Sequence, residues 1–505
     1  MKIFYGLMAT VVVGSLLGCG PSGVPQSAGE PHRPQIHFSP AEKWMNDPNG
    51  MVYFNNQYHL FYQYYPDSTV WGPMHWAHAT SKDLVHWDHQ PVALYPDSLG
   101  WIFSGSAVAD VNNTSGFGKD GKTPLVAIFT HHNSPMEKTG SSVFQYQSLA
   151  YSLDEGKTWE KYAANPVLKN PGIRDFRDPK VMWYEAGKKW IMTLATMDRI
   201  TFYSSPDLKN WTKESEFGKE VGAHGGVWEC PDLFSMEHDG KQVWVLIVSI
   251  NPGGPNGGSA TQYFTGDFDG TTFTPHNTDI KWIDYGPDNY AGITWSNTGD
   301  RKVFIGWMNN WQYANVVPTE KWRGAATLPR ELRMEKVGEQ YYVASNLVKE
   351  LDVLNEKKTS LENIDATDLD IDDKFGKLAG AAKLDMEASS ASSFTITLSN
   401  SKGEKLLIGY DQSANKYFID RTLSGKVSFE KGFAARHTAP RISKEAGMNM
   451  SLVIDDASVE LLADDGLTVM TAVFFPNERY TEMQINSPDK TIFNKLAFTP
   501  LKSIH

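Results

Sequence analysis

Three short acidic segments contain the residue types best suited to chemistry: Trp44-Met45-Asn46-Asp47-Pro48-Asn49-Gly50, Phe176-Arg177-Asp178-Pro179 and Trp228-Glu229-Cys230-Pro231. Each sets one carboxylate near a proline, with a ring or amide group close by that can shape a sugar pocket. Carboxylates gathered at one glycosidic bond are the machinery of glycoside hydrolysis, one giving a proton while another attacks or stabilises the sugar cation. Taken singly, Asp47 and Asp178 read as turn aspartates before proline. Glu229 has no such turn rationale, which favours a functional role. The segments are so far apart in sequence that only the fold can bring them together.

The elements that must position them read as strands. Short apolar or alternating runs such as Met51-Val52-Tyr53-Phe54, Tyr58-His59-Leu60-Phe61-Tyr62, Leu125-Val126-Ala127-Ile128-Phe129, Trp190-Ile191-Met192-Thr193-Leu194 and Val243-Trp244-Val245-Leu246-Ile247-Val248 fill the first two thirds of the chain. A polar turn ending in an aromatic recurs among them. Ser81-Lys82-Asp83-Leu84-Val85-His86-Trp87 is echoed by Ser152 to Trp159 and by Ser205-Pro206-Asp207-Leu208-Lys209-Asn210-Trp211, and more loosely by Gly266 to Phe273. In each, Asp closes a turn and the ring re-enters the core. Repeating four-stranded units of this length are a propeller signature, and residues 34–345 hold about five of them. The acidic segments fall at successive inter-repeat positions, so one carboxylate per blade can face a shared axial cavity.

All 16 tryptophans lie between Trp44 and Trp322. Beyond Ser345 the chain turns to Ser-, Thr-, Asp- and Lys-rich alternating strands, as in Ser393-Phe394-Thr395-Ile396-Thr397-Leu398 and Met450-Ser451-Leu452-Val453-Ile454. The expected organisation is therefore a propeller over 34–345, a linker over 346–365 and an antiparallel β-sandwich over 366–505. The fold class is all-β. A chain of 505 residues exceeds what one core usually supports, which agrees with two domains. Its net charge of −12 argues against a nucleic-acid partner and leaves a neutral sugar unaffected.

At the N-terminus Lys2 precedes an apolar run, Ile3 to Leu17, too short for a confident membrane span. Leu16-Leu17-Gly18-Cys19 looks like a bacterial lipobox. It implies a signal peptide over 1–18, a lipid anchor to the membrane on Cys19, a Pro-, Gly- and Ser-rich tether over 19–33, and residence in the bacterial cell envelope. Only two cysteines are present, so with Cys19 lipidated Cys230 has no disulfide partner. Cys230 reads as a small buried apolar residue.

The motifs together resemble glycoside hydrolase family 32, the invertases, inulinases and levanases. Besides the three acidic segments the resemblance rests on Trp71-Gly72-Pro73-Met74-His75-Trp76, Phe103-Ser104-Gly105-Ser106, Trp322-Arg323-Gly324-Ala325 and, in the tail, Ser458-Val459-Glu460 with Asp465-Gly466. It spans almost the whole mature chain and implies a five-bladed propeller followed by a β-sandwich. It further implies Asp47 as nucleophile, Glu229 as general acid/base and Asp178 as stabiliser of fructosyl hydroxyls, in a double displacement with net retention. Asn46, Gln63, Trp71, Phe103, Ser104, Arg177 and Trp311 are carried over as substrate-binding residues, since aromatic faces suit sugar C–H faces and amides suit hydroxyls.

The nucleophile must stay ionised while the acid stays protonated. Asn46 and Asn49 are expected to donate to Asp47, and Trp228 and Cys230 to give Glu229 a less polar setting. Arg177, beside Asp178, is a fixed cation that keeps a carboxylate ionised or grips a sugar hydroxyl.

The expected substrate is a fructan or fructo-oligosaccharide, and the expected activity is exo-acting release of fructose, with sucrose as a further substrate. Rival expectations are an endo-levanase or endo-inulinase, a fructosyltransferase, and a non-catalytic fructan-binding lipoprotein. Ser152 to Trp159 also fits the aspartate box of sialidases, but that family's arginine triad has no recognisable counterpart. His75 and His78 point to opposite faces of a strand, and no ligand set is completed by them or by His131 and His132, so no metal or cofactor is expected.

Overall fold

The computed structural model describes residues 30–505. The expected signal peptide, Cys19 and most of the tether lie outside the described residues.

Five antiparallel sheets follow one another along the chain. The first contains Lys43–Phe54, Gln57–Tyr65, His75–Ser81 and Asp88–Leu94, and the second Trp101–Ala109, Leu125–His132, Gln145–Ser152 and Glu160–Lys161. Phe176–Tyr184, Lys189–Thr196, Arg199–Ser205 and Thr212–Phe217 form the third. The fourth is built on Val227–His238, Lys241–Asn251 and Ala260–Phe268, and the fifth on Tyr290–Thr294, Lys302–Trp307, Arg330–Val337 and Gln340–Leu347.

The first strand of each sheet touches the first strand of the next, and that of the fifth touches that of the first. This closes a ring of five blades and makes those strands the inner ones. Parallel pairing of Lys43 and Trp44 with Trp322 and Arg323, and a bridge from Val52 to Ser296, join the fifth blade to the first.

Burial follows from this arrangement. Inner and second strands lie between neighbouring blades and are mostly buried, as in the fully buried Leu125–His132, whereas the outermost strand Asp88–Leu94 is largely exposed. The repeated Ser/Asp/Trp turns join third to fourth strands. In the third blade Asp207 Oδ1 accepts from Lys209 N at 2.9 Å and Asn210 N at 2.8 Å, and Trp211 Nε1 donates to Leu208 O at 2.8 Å. The first blade repeats this with Asp83 and Trp87. The fifth blade turns through Val337–Gln340 without the motif.

Two six-stranded antiparallel sheets form the sandwich and enclose one apolar core that includes Leu384, Ile396, Ile408, Leu452 and Leu496. Its first strand is Thr359–Asp365, so the linker is shorter than the expected 346–365. That strand lies at a sheet edge with mostly exposed side chains, which is why its composition resembles a linker.

The two domains share a buried ionic interface. Arg330 of the propeller binds Glu460 of the sandwich at 2.5 Å and Asp284 at 2.9 Å, with all three side chains fully buried. Arg421 of the sandwich reaches back to Asp288 at 2.8 Å. His37 joins Asp455 at 2.7 Å and Glu460 at 3.0 Å.

Candidate active site

Every inner strand carries the same irregularity at one height. Two residues on it oppose one on the neighbouring strand: Asn46 and Asp47 in the first blade, Phe103 and Ser104 in the second, Asp178 and Pro179 in the third, Cys230 and Pro231 in the fourth, Ala291 and Gly292 in the fifth. A proline has no N–H for the ladder, so Pro48, Pro179 and Pro231 suit such bulges. In the second blade a Cβ on Gly105 would stand 2.0 Å from Ile128 O, so only glycine fits there. Asp178 and Cys230 take positive φ, 65° and 44°. The bulges break the in–out alternation, and the carboxylates from three blades meet.

Cys230 lies between two of them. Its backbone N–H donates to Asp178 Oδ2 at 3.0 Å, and its thiol faces Asp47 Oδ2 at 3.5 Å and Asp178 Oδ2 at 3.6 Å. Asp47 also accepts from Ser104 Oγ at 2.6 Å and Asn46 Nδ2 at 3.0 Å. Burial and the charge of Glu229 outweigh these donors and push Asp47 above the ordinary carboxylate range. Burial, with Glu229 and Asp47, likewise raises Asp178 to about 7 against the opposing pull of Arg177. Burial and the three carboxylates push the Cys230 thiol well up, which keeps it protonated and unreactive.

Glu229 sits in a more polar setting than its sequence neighbours suggested. Arg177 forks onto Glu229 Oε1 from Nε at 3.1 Å and Nη2 at 3.0 Å, and also binds Asp175 Oδ1 at 2.6 Å. The Tyr290 hydroxyl donates to Glu229 Oε2. Trp228, adjacent in sequence, is fully buried and donates instead to Ala223 O at 2.8 Å. Successive strand residues point to opposite faces, so the less polar setting read from Trp228 does not exist. Of the two amides expected to serve Asp47, Asn46 does so, whereas Asn49 donates to the Asp47 backbone carbonyl at 3.1 Å.

The remaining expected binding residues surround this cluster. Gln63 stands opposite the Asn46–Asp47 bulge, is 2% exposed, and has no partner for its Nε2 among the described residues. Trp71 is 38% exposed and edge-on to Phe103 at 6.1 Å. Trp311 stacks on Trp44 at 6.0 Å, and Trp44 Nε1 orients Asn46 Oδ1 at 2.7 Å.

Tyr290 and Asp175 escaped the sequence reading. Asp175 stands two positions before Arg177, a signal that was there to be used; Tyr290 has none, because its partner lies in another blade.

Comparison with known proteins agrees with this architecture. The family model described as the glycosyl hydrolases family 32 N-terminal domain matches residues 37–345, and the one described as the family 32 C terminal matches residues 345–500. A levanase of Bacillus subtilis (strain 168) is 45% identical over 489 residues, covering 94% of this chain and 71% of that protein. An extracellular exo-inulinase of Aspergillus ficuum is 42% identical over 485 residues, covering 89% of this chain and 90% of that protein. The crystal structure of an exo-inulinase from Aspergillus awamori superposes with a TM-score of 0.86 at 38% identity, covering 94% of this chain and 99% of the other. A β-fructofuranosidase from Schwanniomyces occidentalis complexed with fructosyl-erythritol gives 0.85 at 33% identity, covering 94% and 98%.

Proposed function

The chain belongs to glycosyl hydrolase family 32, and from that premise we propose that it is a retaining, exo-acting β-fructosidase releasing fructose from levan or inulin and from sucrose. It is a glycosidase with a fructan substrate, as its levanase and exo-inulinase relatives indicate by name. In the proposed cycle Asp47 attacks the anomeric carbon as Glu229 gives its proton to the departing oxygen. Glu229, now a carboxylate, takes a proton from water, which attacks the fructosyl–Asp47 ester and frees Asp47. Asp178 accepts hydrogen bonds from fructosyl hydroxyls through the oxocarbenium-like state. Gln63, Asn46, Trp71, Phe103 and Trp311 line the proposed fructosyl pocket.

The single observation that carries this reading is the meeting of Asp47, Asp178 and Glu229, from three blades, around Cys230 and Arg177. With Asp175 also on Arg177, four carboxylates gather about one guanidinium, which favours keeping a proton among them, as a proton donor beside an ionised nucleophile requires. Glu229→Gln tests it: fructose release from levan, inulin and sucrose should fall by about 10²-fold or more, and unchanged release would overturn the assignment. Free fructose as the first product marks exo action, and early oligosaccharides would reverse that part.

We further infer attachment to the bacterial cell envelope through a lipid on Cys19. The lipobox-like Leu16-Leu17-Gly18-Cys19 supports it, and an anchored enzyme suits a polymer that cannot cross a membrane. Cys19→Ala should move activity from the membrane fraction to the soluble fraction; activity that stays with membranes refutes the anchor.

A further inference from the structure

Behind the candidate acid runs a chain of hydrogen bonds whose directions follow from one backbone amide. Phe176 N–H donates to Gln145 Oε1 at 2.8 Å. A backbone N–H cannot accept, so this contact fixes which end of the Gln145 carboxamide is oxygen. Its Nε2 then faces His132 Nδ1 at 3.2 Å and must donate to it. The imidazole therefore keeps its proton on Nε2, which meets Glu137 Oε2 at 3.1 Å. Burial and the nearby Arg177 charge, opposed by Asp175, hold His132 down to about 4, in agreement with a neutral ring.

At its other end Gln145 Oε1 accepts from Arg177 Nη1 at 3.4 Å, on the guanidinium that forks onto Glu229. Gln145 and His132 are 1% and 4% exposed, so neither stands free to meet solvent. His132 also underlies a second wall of the site, with its ring 4.3 Å from that of Phe103 and 11° from parallel.

We infer that Gln145 and His132 are positioning residues: oriented by Phe176 N–H, they hold the Arg177 guanidinium in the plane from which it grips Glu229. This rests on the fructosidase reading above. Asp175 competes for the same guanidinium at 2.6 Å, and a loosened Arg177 would lean toward it. Loss of the Arg177 grip leaves the Glu229 carboxyl out of place for proton transfer.

The test is the split between kcat and KM on a short fructo-oligosaccharide, with Glu229→Gln in parallel. Gln145→Leu should lower kcat roughly 10-fold to 100-fold with KM little changed, the usual penalty of a misplaced catalytic group. His132→Phe keeps a ring against Phe103 and removes the acceptor, so it should lower kcat in the same way with KM little changed. In His132→Asn, Oδ1 replaces Nδ1 as acceptor, so kcat should be restored while KM rises from lost support of Phe103.

An unchanged kcat in both Gln145→Leu and His132→Phe overturns the inference, as does an equal loss in His132→Asn. If Gln145→Leu does not fold, the two His132 variants decide. Fructose release that persists in Glu229→Gln overturns the fructosidase reading and this inference with it, whereas loss there with kcat unchanged in the Gln145 and His132 variants overturns this inference alone.

Discussion

Asp47 has to be an anion when substrate arrives, yet its surroundings work against the charge. Burial comes first, then the repulsion of Glu229, and three donors offset them only in part. Ser104, at 2.6 Å, gives the shortest of those hydrogen bonds. A hydrogen bond to a charged group is worth about 1.5–3 kcal/mol. Ser104→Ala should therefore move the acid limb of the kcat/KM profile to higher pH, since removing a donor to the anion favours its protonated form. Activity on the acid side should fall by roughly an order of magnitude, with the alkaline limb unmoved. A pH profile on sucrose checks this, and an acid limb that moves down would contradict the burial argument.

At the scale of elements, two local devices recur around the ring and do different work. The bulges, one in each inner strand, aim side chains at the axis, and they are helped by proline in three blades and by glycine in the other two. The aspartate turns lie between third and fourth strands, away from the bulges, and hold the outer strand in place in the blades that carry them. Their roles should separate on mutation. Asp207→Ala removes two backbone hydrogen bonds together with the link to Asn210 Nδ2, and should cost about 1–3 kcal/mol of stability. kcat and KM should not change. Denaturant unfolding beside steady-state kinetics distinguishes this from a turn that also shapes the pocket.

For the whole molecule, the joint between propeller and sandwich is ionic at its centre. Removing one partner of such a buried cluster leaves an uncompensated charge, which is costly even where the intact cluster adds little net stability. His37 makes this joint sensitive to pH. Its partners Asp455 and Glu460 raise it to about 9 despite full burial, and Glu460 is held down to about 2 by Arg330 and His37. A folded-state value above the ordinary 6.5 means that the stability His37 contributes is complete below about pH 6.5 and is lost as pH rises through 9. Glu460 acts in the opposite direction: its contribution is present above about pH 4.5 and fades as pH falls toward 2. The thermal midpoint should therefore decline between pH 7 and pH 9, and His37→Gln should lower it at pH 6 and flatten that decline. Parallel slopes in the two proteins would show that the joint does not titrate there.

The strands, the aspartate turns, the composition break near Ser345 and the three acidic segments were legible in the sequence because each depends on neighbours a few positions away. Period-two alternation and turn chemistry are local, and Asp47-Pro48, Asp178-Pro179 and Glu229-Cys230-Pro231 announce themselves as units. The tertiary structure alone decided how those units meet. Trp228 turns away from Glu229 because adjacent strand residues face opposite sides, and Arg177 crosses from the third blade to the fourth. Tyr290 arrives from the fifth blade, and the Cys230 thiol lies between two carboxylates. The edge strand Thr359–Asp365 was hidden for a related reason, since a strand with one partner and exposed side chains is composed like a tether. Contacts across blades depend on register and ring closure, and chain neighbours encode neither.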